Sequence, residues 1–562
     1  MQTADKAAAP PRIRIAALIL ATLILDLVLV MPNRPAALTL ARLGQVPLEL
    51  PLIVLALIAL PARSRASRLL RVGLVLALTI TALLKLADIG TFLAFARSFN
   101  PAVDMFIVGA GVDLGMRTLG LPLMGLAVLG LALALAALVA AIWWATAQFG
   151  GAQFAGAATR VWPARLAGIG AALCALAIAA QVTNTALTRL PAQAATTRLI
   201  GDHTRTYFAT LDDLKRFRIA AAQDPMAGKT NLFDRLKGRD VLIVFIESYG
   251  RASFENPLYA PTHTATLRAA EPAIAAAGMA MRSGWLTSPV EGGQSWLAHS
   301  TLESGLTISN QTRYRAMLAS DRQTLFDLAA ASQMRTAAVM PGITMAWPEG
   351  PMQGFQTILA KDDLGYKGQP FNFITMPDQY TLTAFDRLIP RGGDAGPLFA
   401  QIVLLSSHAP WVPVPKMIAW DAVGDGTVFD QWATAGDPPK VVWRDHDRVR
   451  DQYRQALDYS LQSILSYAAR QGENPPLIVV LGDHQPAPFV AQIDSRDVPV
   501  HLIGPPDLIA DFADWGWAEG MIPTAQTPVW PMQDFRDRFV RALSSTLPSP
   551  ALPSPALPNS AP

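Results

Sequence analysis

Glu247, His408 and the pair Asp483-His484 each stand just beyond a short apolar run, and all are side chains that bind cations or move protons. Asp240-Val-Leu-Ile-Val-Phe-Ile246 leads straight into Glu247. Phe399-Ala-Gln-Ile-Val-Leu-Leu405 passes through Ser406 and Ser407 to His408. Leu477-Ile-Val-Val-Leu481 passes through Gly482 to Asp483-His484. Uninterrupted apolar runs of this length mark strands buried on both faces of an α/β sheet. In open sheets of that kind, sites form at the carboxyl ends of the strands. Singly, Glu247 reads as a cap on the next helix and His408 as a satisfied histidine before Ala409-Pro410. Three strand ends offering Glu, His and Asp-His together read as one site.

A fourth element supplies a hydroxyl. In Glu291-Gly-Gly-Gln-Ser-Trp-Leu-Ala-His-Ser-Thr301 a Gly-rich turn precedes an amphipathic, helical stretch. Ser295 is expected at the helix start, where backbone N–H groups and the helix dipole favour phosphate and alkoxide. Alone it reads as an N-cap. Beside Glu247, Asp483 and His484 it reads as a nucleophile. Ser300 and Thr301, one to two turns further on, are expected to point elsewhere.

These residues lie in one half of a divided chain. Of 562 residues, 51% are hydrophobic and only 16% charged, low for a soluble protein. The long Leu/Ala/Val/Ile runs stop near Val182, and all seven histidines follow them. A net charge of +3 without a basic stripe gives no support to nucleic-acid binding. The single cysteine, Cys174, excludes a disulfide within the chain.

Five apolar segments, 15–31, 47–61, 72–95, 121–147 and 166–182, are expected to cross a membrane, each crossing needing about 20 residues. The second is short and bounded by prolines. Orientation follows from loop Lys and Arg. With the N-terminus in the cytoplasm, Lys6, Arg12, Arg14, Arg63, Arg65, Arg68, Arg71, Arg160 and Arg165 fall inside. Arg34, Arg42, Arg97, Arg117, Arg189 and Arg198 fall on the other side. An odd number of spans then places everything after Val182 outside the cytoplasm, in the periplasm or at the outer surface. Asp26, Lys85 and Asp88 fall in or near spans, and Lys85 and Asp88, three apart, can share a helix face. Residues 204–222 alternate charges with apolar positions, as does an amphipathic helix on a bilayer surface. The expected organisation is a membrane domain over 1–185, an amphipathic linker over 186–235, an α/β domain over 236–545 and a disordered Pro/Ala/Ser tail over 546–562.

Val-Phe-Ile-Glu-Ser-Tyr around Glu247, Gly-Gly-Gln-Ser-Trp around Ser295, Ser-Ser-His-Ala-Pro-Trp around His408 and Leu-Gly-Asp-His around Asp483 resemble the alkaline phosphatase/sulfatase superfamily. Five spans followed by a sulfatase-like extracytoplasmic domain resemble its lipoteichoic acid synthase branch over nearly the whole chain. The resemblance implies an α/β, alkaline phosphatase-like fold. It implies one divalent ion, Mn²⁺ or Zn²⁺, on Glu247, Ser295, Asp483 and His484, with His408 contacting phosphate. Trp347 and Trp411 are expected to touch substrate, and 453–460 resembles the family's helix before the last metal-bearing strand. Two departures are visible: serine replaces the usual threonine nucleophile, and Glu349 in Met345-Ala-Trp-Pro-Glu-Gly350 stands where a cation is implied. Ser295 also lacks the following Pro and Arg that formylglycine formation in a true sulfatase needs.

The expected activity is transfer of a phosphoglycerol or phosphoethanolamine head group from a phospholipid to an envelope glycan or lipid, through a phosphoserine. The alternatives are a phosphodiesterase using water at the same site, and an inactive lipid sensor regulating envelope synthesis.

Overall fold

The computed structural model describes residues 11–39, 44–61, 64–95, 97–149, 161–183 and 192–548. Lys6, Arg42, Arg63, Arg160 and Arg189, used above for orientation, and the tail beyond 548 lie outside these residues. The chain divides into two compact units, Met1–Asp213 and Leu214–Pro562.

Leu, Ile, Val and Ala runs make the first unit helical: α1 Pro11–Val30, α2 Glu49–Ala59, α3 Arg65–Phe95, α4 Pro101–Gln148 and α5 Val161–Thr183, followed by α6 Ala195–Ala222, which continues past the unit's end. Four of these hold stretches long and apolar enough to cross a membrane: Arg12–Val30, Arg65–Leu93, Leu119–Gln148 and Pro163–Thr183. The expected fifth span is corrected here. It folds as α2, with 11 residues, a rise of about 16 Å against a hydrocarbon core of about 30 Å. Pro47 and Pro61 hold it short. α4 bends at Gly120, whose φ of 74° breaks the helical run two residues before Pro122.

Hydrogen bonds fix the helix directions. Lys85, late in α3, donates to the carbonyls of Val28 and Leu29 at the end of α1, at 3.0 and 2.7 Å. These two helices therefore run the same way. α2 begins beside the end of α5, where Val46 and Pro47 pair with Ala192 and Gln193, and it runs back along α5, Leu55 lying against Gly170 and Ala59 near Gly168. Arg71 at the start of α3 reaches the Trp143 carbonyl near the end of α4 at 3.1 Å. Directions thus alternate through α1 to α5, and the short α2 still returns the chain. Inside the bundle Leu25, Leu57, Leu78 and Ile142 are buried against one another. Many leucines on the outer faces, Leu93 and Leu131 among them, are exposed, which suits helices of this length and composition to a membrane.

The second unit is built on a nine-stranded sheet. Its strands are β1 Val241–Ile246, β2 Ala280–Thr287, β3 Arg335–Met340, β4 Thr357–Ala360, β5 Leu398–Leu404, β6 Leu477–Gly482, β7 Asp497–Gly504, β8 Ala518–Glu519 and β9 Val529–Pro531. The order is β8-β2-β7-β6-β1-β5-β3-β4, with β9 beside β2. Strands β6, β1, β5, β3 and β4 are parallel, and β7 runs against β6. Every residue of β1, β5 and β6 is buried, which is why β1 and β6 read as unbroken apolar runs and β5 as one interrupted only by the buried Gln401. Their register decides the site. Ile246 pairs with Leu404 on one side and Gly482 on the other, so Glu247, Leu405 and Asp483 leave the sheet level with one another. Gly482 is required there, since a Cβ would lie 1.7 Å from the Tyr249 carbonyl oxygen.

The alternating directions make a topological prediction. With the Arg65–Arg71 end inside, an enzyme reporter fused after Leu547 is active only outside the cytoplasm. Activity confined to the cytoplasm would mean that α2 does not carry the chain back.

Candidate functional site

Glu247, Asp483 and His484 converge on one point, with one ligand atom from each lying within 4.8 Å of the others. All three are buried. His484 Nε2 is 3.2 Å from Glu247 Oε1 and 3.8 Å from Asp483 Oδ2. Its Nδ1 lies 2.7 Å from the Gln485 carbonyl, which can only accept, so Nδ1 carries the hydrogen and Nε2 is turned to the carboxylates. Asp483 Oδ1 accepts the backbone N–H groups of Ser248 and His484, at 2.8 and 2.7 Å. Its Oδ2 is buried with no hydrogen-bond partner among the described residues.

Ser295 completes the group. Three successive positive φ values, at Gly292, Gly293 and Gln294, turn the chain sharply before the helix Ser295–Ser304. The turn is tied to the ligand loop by Gly292 N–H donating to the Gln485 carbonyl at 3.1 Å. Ser295 Oγ donates to Glu247 Oε2 at 2.9 Å and lies 3.2 Å from His484 Nε2. Ser300 and Thr301 are buried and bonded elsewhere, to Gln353 and to the Leu297 carbonyl. At the far end of this helix Arg322 and Arg536 both donate to the Ser304 carbonyl, at 2.6 and 2.7 Å. Two guanidiniums suit a helix C-terminus, and buried Asp224 pairs with Arg536.

Two carboxylates and an imidazole this close impose a protonation problem. Burial, then the charge of Glu247, pushes Asp483 up to about 7. Burial opposes a charged His484, but Asp483 and Glu247 outweigh it and hold it up to about 9. Burial likewise works against ionised Glu247, and His484 with His408 holds it below the usual carboxylate range. A divalent cation would take the place of those shared protons. The orphaned Asp483 oxygen, the hard carboxylate donors and one imidazole fit such an ion.

His408 follows β5 in a turn fixed from behind. The buried carboxylate of Asp378 accepts the N–H groups of Leu405 and Ser406, at 2.7 and 2.9 Å, and the hydroxyl of Ser460 at 2.6 Å. Ser407 Oγ donates to the Glu247 carbonyl at 2.6 Å, joining this turn to the ligand strand. The His408 ring is half-buried under the exposed ring of Phe373, centroids 4.5 Å apart. The helix His446–Ala469 supplies Ser460, and also Tyr453, whose hydroxyl donates to the Ser248 carbonyl at 2.9 Å.

The expected substrate tryptophans part company. Trp411 is only 2% exposed, donates to the Ser407 carbonyl at 2.7 Å and stacks on Trp443. It braces the His408 turn from inside the core, which corrects its assignment as a substrate contact. Trp347 is half-buried beside Phe355, with ring centroids 5.9 Å apart.

No family model matches the chain, and no curated protein matches it. Among solved structures the chain is similar to the lipoteichoic acid synthase LtaP from Listeria monocytogenes, at 13% identity over 59% of this chain and 77% of that one, with a TM-score of 0.37. It is similar to the C-terminal periplasmic domain of EcEptC from Escherichia coli in complex with Zn, at 12% identity over 57% and 84%, with a TM-score of 0.35. A third is the Streptococcus pyogenes phosphoglycerol transferase GacH in complex with sn-glycerol-1-phosphate, at 13% identity over 58% and 78%, with a TM-score of 0.32. Likenesses this distant decide nothing about the chain, whose own side chains must.

Ser248, Asp378, Ser407 and Glu303 escaped the sequence reading. The first three are short polar residues at strand or helix ends, a weak signal. Glu303 gives none, yet it is fully buried on the helix of Ser295, and neither carboxylate oxygen has a hydrogen-bond partner among the described residues. Burial pushes its carboxyl from 4.5 up to about 8. The native protein then keeps a proton that the unfolded chain releases, so this group's contribution is full below pH 4.5 and is lost as pH rises through about 8. Glu303→Gln is expected to raise the thermal unfolding temperature at pH 7, where the stability gain is at most about 3 kcal/mol, and to change little near pH 4.5. An equal effect at both pH values would contradict a protonated Glu303.

Proposed function

We propose that the chain is a membrane-anchored phosphotransferase of the alkaline phosphatase superfamily, in its lipoteichoic acid synthase-like branch. It moves a phosphoglycerol or phosphoethanolamine head group from a phospholipid to an envelope glycan or lipid. The observation that carries this reading is the placement of Ser295 Oγ at a helix start, 2.9 Å from Glu247 Oε2 and 3.2 Å from His484 Nε2. A hydroxyl held between a carboxylate and an imidazole is the arrangement of an activated nucleophile.

Glu247, Asp483 and His484, with Ser295, would hold one divalent ion, Mn²⁺ or Zn²⁺, which would polarise the phosphoryl oxygen and lower the pKa of the serine hydroxyl. The remaining chemistry belongs to the chain. Ser295 Oγ gives up its proton, for which Glu247 Oε2 is within reach, and attacks phosphorus in line with the diacylglycerol oxygen. An Oγ–P bond forms and the P–O bond to diacylglycerol breaks. His408, in its fixed turn, protonates the leaving oxygen or neutralises the phosphoryl charge. An acceptor hydroxyl then attacks the phosphoserine, the Oγ–P bond breaks and Ser295 is restored. Phosphate sits where the first turn of the helix favours negative charge. The four apolar helices support a membrane anchor. The alternating helix directions, with the Arg-rich loop inside, support a second unit outside the cytoplasmic membrane, in the periplasm or at the cell surface.

Ser295→Ala is expected to abolish head-group transfer in membranes containing labelled phospholipid, a loss of several orders of magnitude, because the residues of such a site act as a unit. Ser295→Thr keeps the hydroxyl and is expected to retain partial activity. Wild-type rates in Ser295→Ala would refute the mechanism. Release of the head group to water alone would identify a phosphodiesterase. A wild type that turns over no phospholipid while the gene still alters the envelope would favour the sensor.

A further inference from the structure

The polar residues at the ends of the apolar helices hold α6 across them. Thr196 Oγ1 donates to the Leu29 carbonyl at the end of α1 at 2.9 Å and accepts from Lys85 of α3 at 3.3 Å. Thr197 donates through its backbone N–H and its hydroxyl to Glu49, the first residue of α2, at 2.8 and 2.9 Å. His203 Nε2 lies 3.1 Å from Asp88 of α3, and Asp88 also accepts from Asn33 and from the Phe99 N–H. Asn100, which caps α4, donates to Thr210 Oγ1 at 2.8 Å. The partners belong to four different helices, all near the same end of the bundle. From Thr196 to Thr210 the helix advances about 21 Å, so its axis runs across those ends rather than along the bundle. The buried charges Lys85 and Asp88 thereby acquire a role, as fastenings for α6.

Beside the fastened face runs an arc that is mainly apolar and uncovered, with Thr204 inside it and Thr197 meeting it in the first turn. At about 100° per residue, Ile200, Tyr207, Phe208 and Leu211 share an arc of about 100°. They are 40%, 37%, 63% and 42% exposed. The opposite flank is charged, with Asp202 and Arg205 paired at 3.0 Å and Asp212 exposed. One helix thus has three faces: bonded to the bundle, apolar, and charged.

We propose that α6 is an interfacial helix whose Ile200, Tyr207, Phe208 and Leu211 stripe lies in the bilayer, in the same leaflet in which α1, α3 and α5 end. The level of the fastenings selects lipid over a protein partner. The ends of the apolar spans mark where hydrocarbon gives way to headgroups, and an amphipathic helix lying there buries its apolar face in that boundary. Tyr207 is a ring of the kind found at that depth, and Phe208 and Leu211 are of the kind that interfacial helices bury. Asp202, Arg205 and Asp212 then face water.

The test uses the full-length protein in a Cys174→Ala background, which removes the single cysteine, reconstituted in phosphatidylethanolamine/phosphatidylglycerol vesicles. Phe208→Cys, Leu211→Cys and Arg205→Cys variants are each labelled with an environment-sensitive fluorophore. All three side chains are exposed. Labels at 208 and 211 are expected to be quenched by lipids carrying a shallow nitroxide and protected severalfold from aqueous iodide, with the reverse at 205. Iodide reaching 208 and 211 as readily as 205 would overturn the proposal. So would shielding of 208 and 211 from both quenchers, which would mean that protein, a second copy or a partner, covers the stripe.

Discussion

Everything in the second unit answers to the closeness of two carboxylates. Glu247 and Asp483 both lie beside His484 in a buried cluster with ligand atoms within 4.8 Å. Like charges at that range in a low dielectric repel strongly unless something positive sits between them. The protein accepts this arrangement because neighbouring parallel strands deliver the residues level with each other. Flanking backbone donors also satisfy one oxygen of Asp483 and leave the other free. Such a cluster is unstable as a packing device and stable as a cation site, which is why it is read as function rather than as core.

The surroundings keep that geometry from relaxing. Asp378, Ser460 and Ser407 tie the His408 turn to the backbone of Glu247, and Tyr453 holds the carbonyl of Ser248. Gly292 ties the turn before Ser295 to the carbonyl of Gln485, the same carbonyl that orients His484. At the other end of the Ser295 helix, Arg322 and Arg536 hold the final carbonyls. The hydroxyl is therefore set by both ends of its helix, as a site needing positional precision requires.

The strand ends were legible because burial on both faces leaves β1, β5 and β6 almost wholly apolar, Gln401 being the one polar residue within them, so the ligand-type side chains just beyond each run stand out. Ser295 was legible because only a Gly-rich turn could place it. Four spans were legible from length and hydropathy. The short α2 was taken for a full-length span, since apolar composition registers but the helix length allowed by two prolines does not. Trp411 was misread because a tryptophan three residues from a site histidine can face inward or outward, and only the turn geometry decides. The fastenings of α6 were illegible because their partners lie far away in sequence, Asp88 from His203 and Glu49 from Thr197 for example, and Glu303 because its burial is imposed by distant segments; no local pattern encodes either.

The account stands or falls on whether Ser295 becomes covalently phosphorylated. Wild-type protein turning over in phospholipid vesicles, quenched in acid within milliseconds and digested for mass spectrometry, should yield a peptide containing Ser295 that carries the phospho-head group. The adduct should be absent from Ser295→Ala and should accumulate when acceptor is withheld. A protein that transfers head groups at full rate with no modified Ser295 peptide at any quench time would contradict the nucleophile, and with it the reading of the whole cluster.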